Sequence, residues 1–275
     1  MNLLASRPRA PRRTALALAA ALAAAALPAT PAAAQQGRPD FTWQGTVPAD
    51  GWLRVKNLNG AMRVEPASGD RIEVTATKRW RRGDPDDVRI ETTKVRGGQD
   101  VLICALWGED SSCDEDGYHS HNHDGNRTGD VSVEFVVKLP KGTRVDVSTV
   151  NGSVRVDGAT SEVRAGTVNG AIEAVSAGGP VVASTVNGDV NVRMGELGGS
   201  ESLRYSTVNG SITLEVPSAL DADVEMTTVN GHLSSDYPMT VEGRIDPRHL
   251  RATIGKGGRR IKFSTVNGSV RLVKR

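Results

Sequence analysis

Apolar residues in the second half of the chain fall at every other position in short runs, and each pair of runs brackets the same tetrapeptide, Thr-Val-Asn-Gly. Its six copies start at Thr149, Thr167, Thr185, Thr207, Thr228 and Thr265, at intervals of 18, 18, 22, 21 and 37 residues. Two and four residues before the Thr stand pairs such as Val147 and Val145, Ala183 and Val181, or Phe263 and Ile261; five and seven after it stand Val154 and Val156, Ile172 and Ala174, or Val270 and Leu272. Period-two spacing predicts two short strands, each with one buried face, joined through Asn-Gly. The fifth copy keeps Leu233 but has Ser235 at the second position, and a degenerate copy, Asn57-Leu58-Asn59-Gly60, has Leu53, Val55, Met62 and Val64 in register.

Two architectures satisfy this pattern. Asn-Gly is the strongest short hairpin signal, so the chain could be an array of antiparallel β-hairpins. The alternative, which we prefer, is a parallel β-solenoid of about eight to ten coils of ~20 residues with Asn-Gly corners, because a hairpin asks only for Asn-Gly while here Thr and Val recur too. Stacking like on like accounts for that wider identity: Asn151, Asn169, Asn187, Asn209, Asn230 and Asn267 would form a hydrogen-bonded structural ladder, with Gly in a φ > 0 corner conformation. The Val after each Thr is out of phase with the buried set. Exposed apolar strips are uncommon, so these valines are expected to fold inward at the corner.

Val137-Lys138-Leu139-Pro140 and Leu214-Glu215-Val216-Pro217 look like equivalent corners, since Pro ends a strand and turns the chain. The 37-residue interval before Thr265 is close to two unit steps, with 244–251 as a surface excursion. Upstream, Arg71–Thr75, Val88–Thr92 and Val131–Phe135 also alternate, and Asn57 to Thr149 leaves room for several less regular coils and one insertion.

Residues 1–34 resemble a signal peptide: Arg7, Arg9, Arg12 and Arg13 precede an apolar Ala/Leu run and the small-residue Ala32-Ala33-Ala34, which predicts export and a mature chain from about Gln35. That divides the chain into 1–34, irregular β coils over 35–139, and the regular repeat over 140–275. No later stretch is apolar enough for a transmembrane span. Without its four arginines, the 34 Lys and Arg fall to 30 against 32 Asp and Glu, so the basic pI of the whole chain does not point to nucleic acid. Thirty glycines and only 4% aromatics suit an all-β chain with frequent turns. Charge is uneven: residues 244–275 hold ten Lys or Arg and one acid, and 109–130 hold seven acids and one Arg. The basic end either guards an open β-edge at Val270–Arg275 or binds an anionic partner: lipid phosphates, an anionic envelope polymer, or the acidic insertion of another copy in a head-to-tail self-association.

The one irregular insertion is 104–130. Cys104 and Cys113 are the only cysteines, and in an exported chain they are expected to form a disulfide. His119, His121 and His123 alternate beside Asp124 and suit a divalent metal, the single cofactor the pattern allows, although the spacing is not that of structural zinc sites. Asp114-Glu115-Asp116-Gly117 resembles half a calcium loop without its remaining ligands. The competing expectation is a solvated excursion. Enzyme motifs are missing: there is no Gly-x-Ser-x-Gly, no His-Glu-x-x-His and no phosphate loop, and the outward carboxylates Asp146, Asp157, Glu162, Glu173 and Asp189 belong to ordinary alternating strands.

The repeat Thr-Val-Asn-Gly-Ser-Val-Arg-Val, the Val-x-Leu-Pro-x-Gly step and the ending Arg-Ile-Lys-Phe-Ser-Thr-Val-Asn-Gly-Ser-Val-Arg-Leu resemble the bacterial putative-adhesin family of β-strand-repeat proteins. The resemblance implies an exported cell-envelope β-solenoid, in the periplasm or at the cell surface, that acts as a scaffold, adhesin-like or binding module with an envelope or protein partner and no catalytic residues. The other function it leaves open is an envelope sensor that binds metal through loop 114–124.

Overall fold

A computed structural model describes residues 39–275 except 116, 121–129, 198–200, 242, 244 and 245. His121, His123, Asp124 and the signal-like residues therefore lie outside the described residues. Arg38–Arg275 forms one compact unit.

The unit is all-β with almost no helix: a ten-stranded and an eleven-stranded sheet enclose one apolar core, and a two-stranded hairpin lies outside them. Each repeat places one strand in each sheet. Arg144–Ser148 lies in the larger sheet, the chain passes through Thr149 to Gly152, and Val154–Ala159 lies in the smaller sheet. The next repeat does the same with Val163–Gly166 and Ile172–Ser176, each parallel to its predecessor, Val145 beside Val163 and Val154 beside Ile172. Strands that flank one Asn-Gly thus belong to different sheets, which rules out the hairpin array. The alternating apolar residues named above are buried from both sides, except that Leu233 and Ser235 are half-buried.

The chain returns from the smaller sheet to the larger along the opposite side. Pro140 and Pro217 both follow a strand of the smaller sheet, Ser132–Leu139 and Ile212–Val216, and both precede a strand of the larger. Proline cannot donate to a ladder, which suits it to this exit.

Two regions depart from the sequence expectation. Beyond the layer of Asn57 to Gly60, on the side away from the regular repeats, there is one further parallel layer, Asp100–Trp107 beside Trp52–Lys56 and Ser132–Leu139 beside Met62–Pro66. Antiparallel strands Val88–Val95, Ile72–Arg79 and Phe41–Gly45 finish that end.

The other departure is the order of the last repeats. Arg259–Ser264 inserts between Leu203–Ser206 and Ala222–Thr227, and Val270–Lys274 inserts between Ile212–Val216 and Leu233–Ser235. The sixth repeat lies inside the stack, between the fourth and the fifth, so its cations do not guard an open edge. Among the described residues no full unit fills the 37-residue interval. The chain instead runs back along the larger sheet as His249–Ile254, antiparallel to Ala222–Thr227, and crosses over through 255–258. Asp221 and Asp223 hold that crossover, accepting hydrogen bonds from the Lys256 and Gly258 amides at 2.8 and 3.1 Å.

Candidate binding surface along the Thr-Val-Asn-Gly seam

Stacking brings all copies of the tetrapeptide onto one line where the two sheets meet, in the spatial order Asn59, Asn151, Asn169, Asn187, Asn209, Asn267, Asn230. Backbone pairing runs straight through this seam. Gly152 N donates to Asn169 O at 3.0 Å and Asn169 N donates to Val150 O at 2.7 Å, and the pattern repeats at each layer.

Each residue type has a separate task there. The Thr side chains are buried, and every hydroxyl donates to the glycine carbonyl of the adjacent layer: Thr149 to Gly60, Thr167 to Gly152, Thr185 to Gly170, Thr207 to Gly188, Thr265 to Gly210 and Thr228 to Gly268, at 2.8 to 3.1 Å. The Asn side chains lie at the surface and join into a row, Asn169 to Asn151, Asn187 to Asn169, Asn209 to Asn187, Asn267 to Asn209 and Asn230 to Asn267, with Nδ2 to Oδ1 distances of 2.7 to 2.8 Å. Asn59 stands at the head of the row and donates to Val131 O.

Glycine is required mainly by close approach. A Cβ on Gly152, Gly170, Gly188, Gly210, Gly231 or Gly268 would overlap the carbonyl oxygen of the glycine in the next layer, and Gly152, Gly170, Gly210 and Gly231 do not have left-handed φ. The expected φ > 0 corner is therefore not the common reason for the residue.

The valines point outward, which corrects the expectation of corner burial. Val168, Val186, Val208, Val266 and Val229 are 37 to 49% exposed, and Val150 is half-buried at the start of the line. Among the described residues the exposed large apolar side chains are these five, Val175 and Trp80. Parallel backbone pairing through the tetrapeptide forces the result: with Thr turned to the core and Gly pressed against the next layer, the intervening side chain has only solvent to face.

The strip is also nearly free of charge. The residues just before Thr are Ser148, Gly166, Ser184, Ser206, Ser264 and Thr227, and those just after Gly are Ser153, Ala171, Asp189, Ser211, Ser269 and His232. Asp189, the one carboxylate, accepts the Ser211 amide at 2.7 Å.

The sheet faces differ sharply from the seam. Ion pairs line them, across neighbouring strands between Arg155 and Glu173 and between Arg193 and Glu215, and two residues apart along the chain between Arg155 and Asp157 and between Arg164 and Glu162. Asp146 pairs with both Arg54 and Lys56, and Arg54 also reaches the fully buried Asp100. The outward carboxylates noted in the sequence are thus engaged by cations or, for Asp189, by an amide. An open hollow of about 1060 Å³ on the larger sheet is lined by Arg164, Arg204, Arg251, Arg260 and Lys262 together with Glu162, Glu201, Asp223 and Glu225. Burial opposes ionisation of Glu225, but Lys262 and Arg251 beside it hold its carboxyl below the usual range. The cations of the last third are distributed between both sheets, Arg260 and Lys262 on one and Arg271 on the other, so they do not form a single basic patch.

The insertion leaves the chain at the seam, between Asp100–Trp107 and Ser132–Leu139, where the other layers carry their tetrapeptide. Its described part is folded. Ser111–Cys113 and Tyr118–Ser120 form a hairpin, Cys104 and Cys113 are joined by a disulfide, and Leu102, Cys104 and Leu106 pack under Cys113 and Tyr118. Asp114 closes the hairpin turn by accepting the Gly117 amide, and its Oδ2 lies 3.1 Å from His119 Nε2. Of the four residues expected to hold a metal, His119 alone lies within the described residues, among which no cluster of three or more ligating side chains occurs.

At the end of the insertion, the Asp130 carboxylate accepts the backbone amides of Arg81, Arg82 and Gly83 at 2.9 to 3.1 Å. These hydrogen bonds, led by that from Arg82, lower its pKa to about 2. They fix the loop that follows exposed Trp80. No helix among the described residues is long and apolar enough to cross a membrane.

No curated protein matches the chain. Three solved structures are similar over most of their length: a putative cell adhesion protein from Clostridium sporogenes, 11% identical over 86% of this chain and 100% of that one with a TM-score of 0.44; a putative adhesin from Bacteroides fragilis, 12% identical over 86% and 96% with a TM-score of 0.33; and a putative adhesin from Parabacteroides merdae, 10% identical over 85% and 95% with a TM-score of 0.28. Residues 122–273, just over half of the sequence, match the family described as Toastrack DUF4097, and the chain belongs to that family.

Proposed function

We propose that this chain is an exported, non-enzymatic binding protein of the cell envelope, a β-solenoid whose coils turn at Asn-Gly and whose partner docks along the Val-Asn seam. One observation carries the reading: five of the seven exposed large apolar side chains among the described residues fall on a single, almost uncharged line. Contiguous exposed apolar surface on an otherwise ion-paired protein marks a contact site. Export rests on the Arg-led apolar leader, and the disulfide suits an oxidising compartment. The test compares retention of purified chain by an isolated envelope fraction. The double variant Val186→Glu, Val208→Glu should be retained about tenfold less, the effect of ~1.4 kcal/mol, while Val175→Glu on a sheet face should behave as the parent. Equal retention of all three would overturn the seam as the docking surface.

A second reading places a divalent metal on His119, His121, His123 and Asp124. The observation in its favour is that hairpin and disulfide tie the start of this run to the sheet, with His119 set against Asp114. Titration calorimetry with Zn²⁺ and Ni²⁺ tests it, and absence of heat with the parent chain would end it.

A further inference from the structure

We infer that the seam's partner is the seam of a second copy of this chain, so that the protein adheres to itself through an antiparallel, ridge-on-ridge contact. This deepens the binding role above and rests on it.

The first argument is period. Valines recur once per layer, at the ~4.8 Å spacing of hydrogen-bonded strands. A strand rises about 3.3 Å per residue and repeats its outward side chains at twice that, so an extended peptide laid along the line falls out of step within a few layers. A second seam has the same period by construction, and its valines can settle between those of the first along the whole length, as side chains do in dry zipper interfaces flanked by amide ladders. A two-fold axis that crosses the line a quarter of a layer from the midpoint between Val186 and Val208, in the spatial order Val150, Val168, Val186, Val208, Val266 and Val229, reverses the line and sets each central valine of one copy in the gap beside a valine of the other.

Charge is the second argument. Two copies of one surface oppose like charges near their axis, and a strip whose one carboxylate is Asp189 keeps that repulsion far smaller than the ion-paired faces would. The ion-paired faces would place Arg155, Arg164 or Arg193 against their counterparts. The central layers of the seam bring together Ser184, Val186, Asn187, Ser206, Val208 and Asn209, with Asp189 held by the Ser211 amide.

Size sets the strength. A strip about 25 Å long and about 10 Å wide offers on the order of 250 Å² per copy, against roughly 800 Å² per partner in a stable dimer. The contact is therefore weak for free molecules and grows only where many copies are arrayed on facing surfaces, the regime in which linked weak contacts multiply.

Full-length protein coupled through its amines to two colours of microbeads tests this. The parent should stay monomeric in solution at micromolar concentration yet co-cluster the beads. Val186→Glu, Val208→Glu should reduce mixed clusters by at least about tenfold, given the multiplication of many weak contacts, with an unchanged melting curve, and Val175→Glu should cluster as the parent. Dispersed parent beads, or clustering unaffected by the seam variant, overturns self-recognition. If parent beads stay dispersed while envelope retention still depends on Val186 and Val208, the seam binds something other than itself; if neither depends on them, both readings fail.

Discussion

Thr265 donates its hydroxyl to the carbonyl of Gly210 at 2.9 Å across 55 residues of sequence, and Thr228, from the preceding repeat, donates to Gly268 on the other side of it. The last repeat thus fills a slot one strand wide in both sheets. A chain ending after Gly258 would leave four facing strand edges unpaired: Leu203–Ser206 and Ala222–Thr227 in one sheet, Ile212–Val216 and Leu233–Ser235 in the other. It would also strip Phe263 from its stack against Tyr205, whose rings lie 5.5 Å apart. Hydrogen exchange should show residues 222–235 unprotected in the truncated chain while the layers from Trp52 to Ala174 keep their protection. Protection of 222–235 equal to that of the full chain would mean that the last repeat is not a keystone.

Layer spacing at the seam leaves no room for a side chain on glycine. Gly188→Ala places its Cβ on the Gly170 carbonyl and should destabilise by about 2 kcal/mol or more, in the range of overpacked cores. Gly178→Ala, on the other side of the stack with only the end of Glu196 nearby, should change stability by no more than about 0.5 kcal/mol. Chemical denaturation of both variants checks the difference.

Asn57 takes the place of Thr in the degenerate copy. Its Nδ2 donates to Val133 O at 2.8 Å, but its buried Oδ1 has no partner among the described residues. Thr at this position keeps a donor and removes the orphaned acceptor, so Asn57→Thr should stabilise by about 1 kcal/mol, the lower range for an unsatisfied buried group. A fall in stability would show that the second donation of Asn57, to Gly60 O, matters more.

Asp130 ionises more readily in the folded chain than in the unfolded one, so its contribution is complete above the ordinary carboxylate pKa and is lost as pH falls through about 2. The Arg81, Arg82 and Gly83 amides should stay protected from exchange down to about pH 2, and Asp130→Asn should release them at neutral pH.

Alternation around each tetrapeptide, as at Val145, Val147, Val154 and Val156, was enough to show an all-β chain but fitted hairpins as well as coils; the recurrence of Thr and Val with Asn-Gly was what favoured the parallel pairing that the repeats adopt. The order of layers was not legible. Identical tetrapeptides make every repeat a chemically acceptable neighbour of every other, so nothing local marks the sixth as lying beside the fourth; the one hint was the long interval, which also fits an extra unit. The outward valines were misjudged because a general rarity of apolar strips was weighed above a local constraint, namely that Thr and Gly already occupy the two inward positions. Asn-Gly suggested a φ requirement, while the actual demand is contact between layers, which sequence does not encode at the residue that suffers it. Within the insertion, the cysteine pair pointed to a crosslink, but Leu102 and Leu106 on the outer face of an otherwise alternating strand were the overlooked sign that something folds over them.

The most direct test of the seam as the contact surface is site-specific photo-crosslinking in the intact envelope. A photoreactive phenylalanine analogue at Val208, on the seam, is compared with the same analogue at Val175, which is exposed to a similar extent on a sheet face. The account predicts a discrete adduct from position 208 and none above background from 175. Adducts from 175 with none from 208 would contradict it.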